Sequence, residues 1–382
     1  MGYPETFTGF VIESQSTNPT FHKAELKPKV FEDYDVDIAI EACGVCGSDV
    51  HKITGGWGPC SLPLCVGHEV VGKVVQTGPK VSTVAIGDRV GVGAQISACL
   101  KCENCQSNNE NYCPHMVDTY DGRYPDGTVS QGGYSSHIRA HEYFVFKIPD
   151  NIESAQAAPM LCAGITTYSP LVRANIGQGS KVAVVGIGGL GHFGIMWAKA
   201  LGAEVYAISH SPSKEADAIA LGASGFISTC DADWHKPWAF KFNFILNTAD
   251  AADRFNMKDY MSTLAVNGTF HHVGLPDKPL PTMSAFNYMP GGYSTSVSHI
   301  GSRVEMQQML SLASERKITS WVQTIDISEA GCQEAIQRVQ SGQSKYRVTL
   351  VGYEKVFGKT ALVTQLPKAS TLFTISHVMF EK

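Results

Sequence analysis

The sequence predicts an α/β protein of two domains, a β-rich one followed by a doubly wound parallel sheet. Three observations carry this. The chain has 382 residues, more than one core of ordinary size accommodates. Its first ~150 residues are rich in Val, Ile and Gly, in short alternating runs cut by turn residues. From about Ala155 onward, helical and strand-like patterns alternate, as in a sheet assembled from strand–helix–strand units.

The elements follow in order. In the first region, residues 70–77 and 88–93 are expected strands, each bounded by Gly, Pro or Asp. Residues 155 to about 173 read as one helix, 181–185 as a short buried strand, and 190 to about 201 as an apolar helix. Further strands are expected at 204–208, 225–227, 242–246 and 268–273, with helical segments between most of them. Beyond about Ser298 the pattern is mixed and closes on an apolar strand at 347–351. No internal repeat is present.

With 43% hydrophobic and 17% charged residues, the composition is that of a soluble globular protein. A formal net charge of -5 with no basic run argues against nucleic-acid binding. No apolar stretch reaches membrane-spanning length. The start, Met1-Gly2-Tyr3-Pro4-Glu5-Thr6, lacks the regions of a signal peptide. It fits the loose pattern for glycine acylation, but no polybasic patch follows to strengthen an anchor. A cytoplasmic location is therefore expected. In that setting eleven cysteines point to metal ligands rather than a disulfide framework.

Gly186-Ile187-Gly188-Gly189-Leu190-Gly191 places glycines at the three positions of G-x-G-x-x-G, after a strand and before a helix. Gly186 permits the tight turn, Gly188 lets backbone approach a pyrophosphate, and Gly191 lets helix and strand pack closely. The helix N-terminus offers free N–H groups and partial positive charge to the phosphates. At the end of the next strand an NAD site carries an acidic residue for the ribose 2′-hydroxyl. Here stand Ser209-His210-Ser211-Pro212-Ser213-Lys214, with no carboxylate before Glu215. Ser209, Ser211, Lys214 and His210 suit a 2′-phosphate, so NADP is the expected cofactor.

Cys99, Cys102, Cys105 and Cys113 supply four thiolates in one loop, enough to close a tetrahedral Zn²⁺ shell with no open position. The alternative is four exposed, oxidisable thiols side by side. A second set is dispersed: Cys46, His68 and Cys162. Residue types alone leave this set open. Cys43-x₂-Cys46 reads equally as a redox pair, and His68 as a core histidine.

Taken together, the chain resembles the zinc-containing medium-chain alcohol dehydrogenases, above all the cinnamyl alcohol dehydrogenase branch and its fungal NADPH-dependent members. The resemblance rests on residues 41–49, 66–69, the four-cysteine loop, Ser130-Gln131-Gly132-Gly133-Tyr134, residues 161–170, the glycine turn and residues 346–352. It implies a GroES-like catalytic domain made of residues 1–157 and 299–382, and a Rossmann domain over 158–298, with the active site in the cleft between them. It also implies two zinc ions per subunit, a catalytic one on Cys46, His68 and Cys162 and a structural one in the loop. Glu69 resembles the carboxylate that enters the zinc shell as an alternate ligand. Asp49 resembles the group that orients the ligand histidine. Thr166 matches a residue facing the nicotinamide, and Arg347 an arginine near the pyrophosphate. Ser48 and His51 match a proton relay, for which an imidazole has a suitable pKa. A homodimer joined by strand pairing near residues 294–300 is implied as well.

Two thiolates and one imidazole would leave one zinc position open to an aldehyde or alcohol. The expected activity is reversible reduction of aromatic or medium-chain aliphatic aldehydes with NADPH. Some departures bear on this. Gly47 replaces the His or Arg that some relatives carry there, leaving phosphate contacts to backbone amides. His210 stands where such relatives often have arginine. The segment after about Gly358 runs past the usual family end and would form an extra strand, a tail or an oligomer contact. Trp57 is either a wall of the substrate pocket or core packing. Three alternatives remain. A polyol dehydrogenase of the same fold typically has Glu where this chain has Cys162. A zinc-free quinone reductase would lack both cysteine sets. A non-enzymatic NADPH-binding sensor should have lost a ligand or relay residue, and none is missing.

Overall fold

The computed structural model describes residues 5–250 and 256–358. Gly2 of the acylation pattern and the chain beyond Gly358 lie outside the described residues. Among those residues, six strands form one all-parallel sheet. Its order is Gly225–Ser228, Glu204–Ser209, Lys181–Val185, Phe242–Asn247, Leu264–His272, Ser294–Val297. Numbered along the chain this is 3-2-1-4-5-6, the dinucleotide-binding order, with its switch point beside Lys181–Val185. Val182, Ala183 and Val184 are fully buried, because both faces of the sheet are covered. On one face lie the helices Ala163–Arg173, Gly191–Ala200 and Arg303–Arg316, packed around Phe193, Trp197 and Met309. The Trp197 indole N–H donates to the Gly164 carbonyl at 3.0 Å. Phe242, Met257, Met261 and Phe270 fill the other face.

The second sheet runs Val322–Asp326, Arg347–Val351, Asp35–Val45, Glu69–Thr77, Arg89–Val92, Phe146–Lys147, with His137–His141 also paired to Asp35–Val45. Strands from before and after the parallel sheet therefore share it. The chain does not return to it directly at residue 299. Arg303–Arg316 first packs on the Ala163–Arg173 helix, where Glu305 accepts from Ser169 at 3.0 Å and from Arg173 at 2.6 Å. Val322 is the first residue after 299 to join the second sheet.

Two predicted elements differ in outline. Residues 155–173 are not one helix. A short α-helical segment, Ser154–Ala157, leads into a 3-10 segment, Ala158–Leu161, and Cys162 leaves helical geometry (φ -126°, ψ -72°) before Ala163–Arg173 begins. Pro159 lacks the N–H that a continuous helix needs, and the break at Cys162 points its thiol at the ligand cluster. The strand predicted from 268 begins at Leu264, which pairs with Phe242 ahead of a register shift. Asn267 and Val266 are exposed there, so the apolar pattern starts late.

Candidate active site and metal centres

The register of the second sheet assembles the site. Gly44 pairs with Glu69, and Val348 with Val45. The residues just past these pairs, Cys46, His68 and Arg347, therefore meet at one end of three neighbouring strands. A Cβ at Gly44 would overlap the Glu69 carboxylate, so glycine at this position lets that side chain fold across the strand.

Cys46, His68, Glu69 and Cys162 are all buried, and their ligand atoms lie within 4.8 Å of one another. Cys46 Sγ is 3.9 Å from Cys162 Sγ. Sulfurs on a tetrahedral zinc with bonds of about 2.3 Å stand about 3.8 Å apart, whereas a disulfide needs about 2 Å. His68 Nε2 and Glu69 Oε2 are buried with no hydrogen-bond partner among the described residues. Atoms of that kind are costly unless something binds them. The donor set fits zinc, with two soft thiolates and an imidazole. The hydrogen bond from Cys162 holds the Cys46 thiol well below its ordinary range, aided by His68 and Arg347. Cys43 is different. It is fully buried in the sheet core, and burial pushes its thiol up, so it behaves as packing rather than as half of a redox pair.

Around this cluster, Asp49 is a fully buried carboxylate. It accepts the Cys46 N–H at 2.8 Å and the Gly67 N–H at 3.2 Å, fixing the backbone beside two ligands. Tyr120, a residue no sequence motif marks, stacks on His68 with centroids 5.4 Å apart and planes 10° from parallel. Arg347 is buried and pairs with Glu69 at 2.5 Å. Its other guanidinium nitrogen lies 2.7 Å from where a Cβ of Gly189 would stand, so this side chain bridges the ligand cluster and the glycine turn. Thr166 sits one helical turn after Cys162, its N–H donating to the Cys162 carbonyl at 2.9 Å.

The glycine turn has the expected shape. Gly186 has φ +84°, and a Cβ on Gly191 would overlap the Gly186 carbonyl. Around Gly188 and Gly47 a Cβ would meet nothing within 4 Å, which leaves backbone open to a ligand. Leu190 occupies the N-cap position of the helix that follows, with no side-chain cap. Ser209 is buried at its strand end and accepts the Ser211 N–H at 3.1 Å. Lys214 donates to the Ile187 carbonyl at 2.6 Å, so it lies against the turn, while His210 is exposed.

Ser48 Oγ is 3.6 Å from Cys46 Sγ. His51 stacks on Trp57 with centroids 4.6 Å apart. Trp57 is partly exposed, so it is not core packing. Two carboxylates face the His51 ring, Asp277 and Asp250. Sequence reasoning did not mark them. Their positions past the carboxyl ends of parallel strands, where such sheets bind ligands, were the available signal.

In the four-cysteine loop, neighbouring sulfurs are 3.5 to 3.9 Å apart (Cys99–Cys113 3.5, Cys102–Cys105 3.6, Cys99–Cys105 3.9, Cys102–Cys113 3.9). These separations again fit a tetrahedron of about 3.8 Å edge. N–H groups of Lys101 and Cys102 bring the Cys99 thiol down to about 6, favouring the thiolate a metal needs. The loop is held against the segment near His299. The Asn111 side chain donates to the His299 carbonyl at 2.7 Å, the Arg303 N–H to Glu110, and Arg173 to Asn109 at 2.9 Å.

Comparison with known proteins agrees with this geometry. Residues 32–150 match the family described as alcohol dehydrogenase GroES-like domain, and residues 189–315 the zinc-binding dehydrogenase family. The chain is 45% identical to NADP-dependent alcohol dehydrogenase 6 of Saccharomyces cerevisiae, over 94% of this chain and 99% of that one. A cinnamyl alcohol dehydrogenase structure from Sorghum bicolor has TM-score 0.86 at 32% identity, covering 94% of this chain and 100% of the other. A CAD from Helicobacter pylori complexed with NADP(H) has TM-score 0.83 at 31% identity, covering 91% and 98%.

Two outcomes are expected. Cys105→Ser should lower bound zinc by one equivalent in elemental analysis and reduce Tm by at least about 5 °C. Unchanged zinc content would remove the loop as a metal site. Arg347→Met should cost about 3–5 kcal/mol in urea denaturation, because it leaves the Glu69 carboxylate buried and unpaired. Adding Glu69→Gln should recover much of that loss.

Proposed function

Since the chain belongs to the zinc-dependent medium-chain alcohol dehydrogenases, we propose that it reduces aromatic and medium-chain aliphatic aldehydes with NADPH and oxidises the corresponding primary alcohols with NADP. The observation that carries this is the buried Cys46, His68, Cys162 cluster, joined through Glu69 and Arg347 to a dinucleotide turn. When bound, zinc polarises the substrate oxygen and the dinucleotide carries the hydride.

The chain's residues divide the remaining work. Cys46, His68 and Cys162 hold the catalytic metal, and their two thiolates offset its charge. Glu69, paired with Arg347, waits at the edge of the shell as an alternate ligand. Asp49 keeps the Cys46 and Gly67 backbone in place. The turn from Gly186 to Gly191 and the helix behind it receive the pyrophosphate, with Arg347 beside Gly189. Ser209, Ser211, Lys214 and His210 receive the 2′-phosphate, where a carboxylate would repel it. Thr166 faces the nicotinamide. Ser48 and His51 pass the hydroxyl proton toward solvent.

Within the chain, the catalytic unit consists of residues up to about 157 and the return from Val322. The dinucleotide unit lies between and includes the Arg303–Arg316 helix. The protein works in the cytoplasm; no helix among the described residues is long and apolar enough to cross a membrane. It forms a homodimer through Ser294–Val297. That strand ends the parallel sheet among the described residues, and Val297, Phe286 and Met289 nearby are 54%, 78% and 69% exposed. An unpaired edge with apolar side chains invites a second copy.

The test is NADPH oxidation against cinnamaldehyde and hexanal, with NADH and a polyol in parallel, before and after zinc removal. Zinc-dependent turnover with NADPH is expected, and Lys214→Ala should lower the preference for NADPH over NADH by about tenfold. Preference for NADH would reject the cofactor assignment, and turnover of the polyol alone the substrate class. In sedimentation, Val297→Lys should shift the dimer to monomer; a parent protein that is already monomeric would reject the dimer.

A further inference from the structure

Asp277 belongs to neither the metal cluster nor the dinucleotide turn, yet its carboxylate rests on His51. Its Oδ1 lies 2.6 Å from Nδ1, the shorter of the two carboxylate contacts to the ring; Asp250 is 3.3 Å from Nε2. Room for it comes from Gly56, where a Cβ would overlap both Asp277 carboxylate oxygens. On one face the ring lies flat against Trp57, 6° from parallel. The Trp57 indole N–H in turn donates to the Leu275 carbonyl at 3.1 Å. The 275–277 segment, which follows a strand of the parallel sheet, is thus tied twice to the helix and turn that carry His51.

From this arrangement we infer that Asp277 is the positioning residue of His51, holding its proton on Nδ1 so that Nε2 is the proton acceptor. The inference rests on the reading of His51 as the proton-carrying group. A neutral imidazole has one N–H, and the partner of one nitrogen decides which nitrogen is left to accept. A proton taken up at Nε2 makes the ring an imidazolium beside two carboxylates, and its loss to water restores the neutral form. Lys52, the next residue on the helix, is paired to Asp121 at 2.6 Å. From the packed Glu329–Gln340 helix, the cleft beside His51 receives Val339 and Gln340. Asp250 and Asp277 both favour the charged ring and outweigh its burial, which opposes charging. Losing Asp277 should therefore let His51 titrate at lower pH.

The experiment is ¹⁵N-histidine NMR on the zinc-loaded full chain, with His51→Gln identifying the signal, alongside alcohol oxidation. In the parent, once the ring is neutral at a pH above its titration, His51 should show the Nδ1–H tautomer. Asp277→Ala should lose that preference, titrate at lower pH, and lower kcat at neutral pH by about tenfold with KM within about twofold. Gly56→Ala should reproduce these changes with Asp277 still in the chain, since the added methyl displaces its carboxylate. An Asp277→Ala spectrum identical to the parent's overturns the inference. So does an unchanged rate in Asp277→Ala where His51→Gln is slow. A His51→Gln enzyme as fast as the parent overturns the reading of His51 itself, and the inference with it.

Discussion

The pairing of three antiparallel strands governs everything around the ligand cluster. Gly44 opposite Glu69, and Val348 opposite Val45, bring Cys46, His68 and Arg347 together from positions far apart in sequence. In a sheet the side-chain period is two, so a slip of one residue would turn Glu69 to the opposite face and break its pair with Arg347. Register here is held by burial, since Val70, Val71, Val348 and Leu350 are all fully enclosed. The chemistry therefore rests on the same packing that stabilises the sheet.

From that end of the sheet the influence spreads through single side chains. Arg347 reaches both Glu69 and the approach to Gly189, so the ligand cluster and the dinucleotide turn share one guanidinium. A buried ion pair of this kind adds little net stability but strongly penalises any arrangement that separates it. Asp49 acts similarly on backbone, holding Cys46 and Gly67 at once. The glycines at 44, 56 and 191 are the complement of these polar groups: each leaves space for a neighbouring carboxylate or carbonyl.

How much of this was legible in sequence depended on contiguity. The glycine turn and the four-cysteine loop each lie within one short segment, so spacing, read for the glycines together with the flanking strand and helix, pointed to their chemistry. The strands at 181–185 and 347–351 were equally plain, being short apolar runs with clear ends. Cys46, His68 and Cys162 carried no such local signal and were joined only through the family resemblance. Tyr120, Asp250 and Asp277 were missed, because their roles arise from contacts between distant segments, and a lone Asp or Tyr reads as surface or core. The break at Cys162 was missed for a related reason: helical periodicity continues across it, and Pro159 alone marks it in the sequence. Arg347 was expected beside the pyrophosphate, and its tie to Glu69 could be read only from the register.

The cluster also joins parts of the chain in a way its chemistry does not require. Cys46 and Cys162 are separated by 116 positions, with one at the end of a strand in the mixed sheet and the other at the start of a helix on the parallel one. An ion held by both is a cross-link closing a long loop. By analogy with a disulfide over a loop of similar length, such a closure removes unfolded-state entropy worth on the order of 4 kcal/mol. Metal content would then set the shelf life of the folded chain as well as its turnover, and a preparation that has shed zinc would unfold more readily.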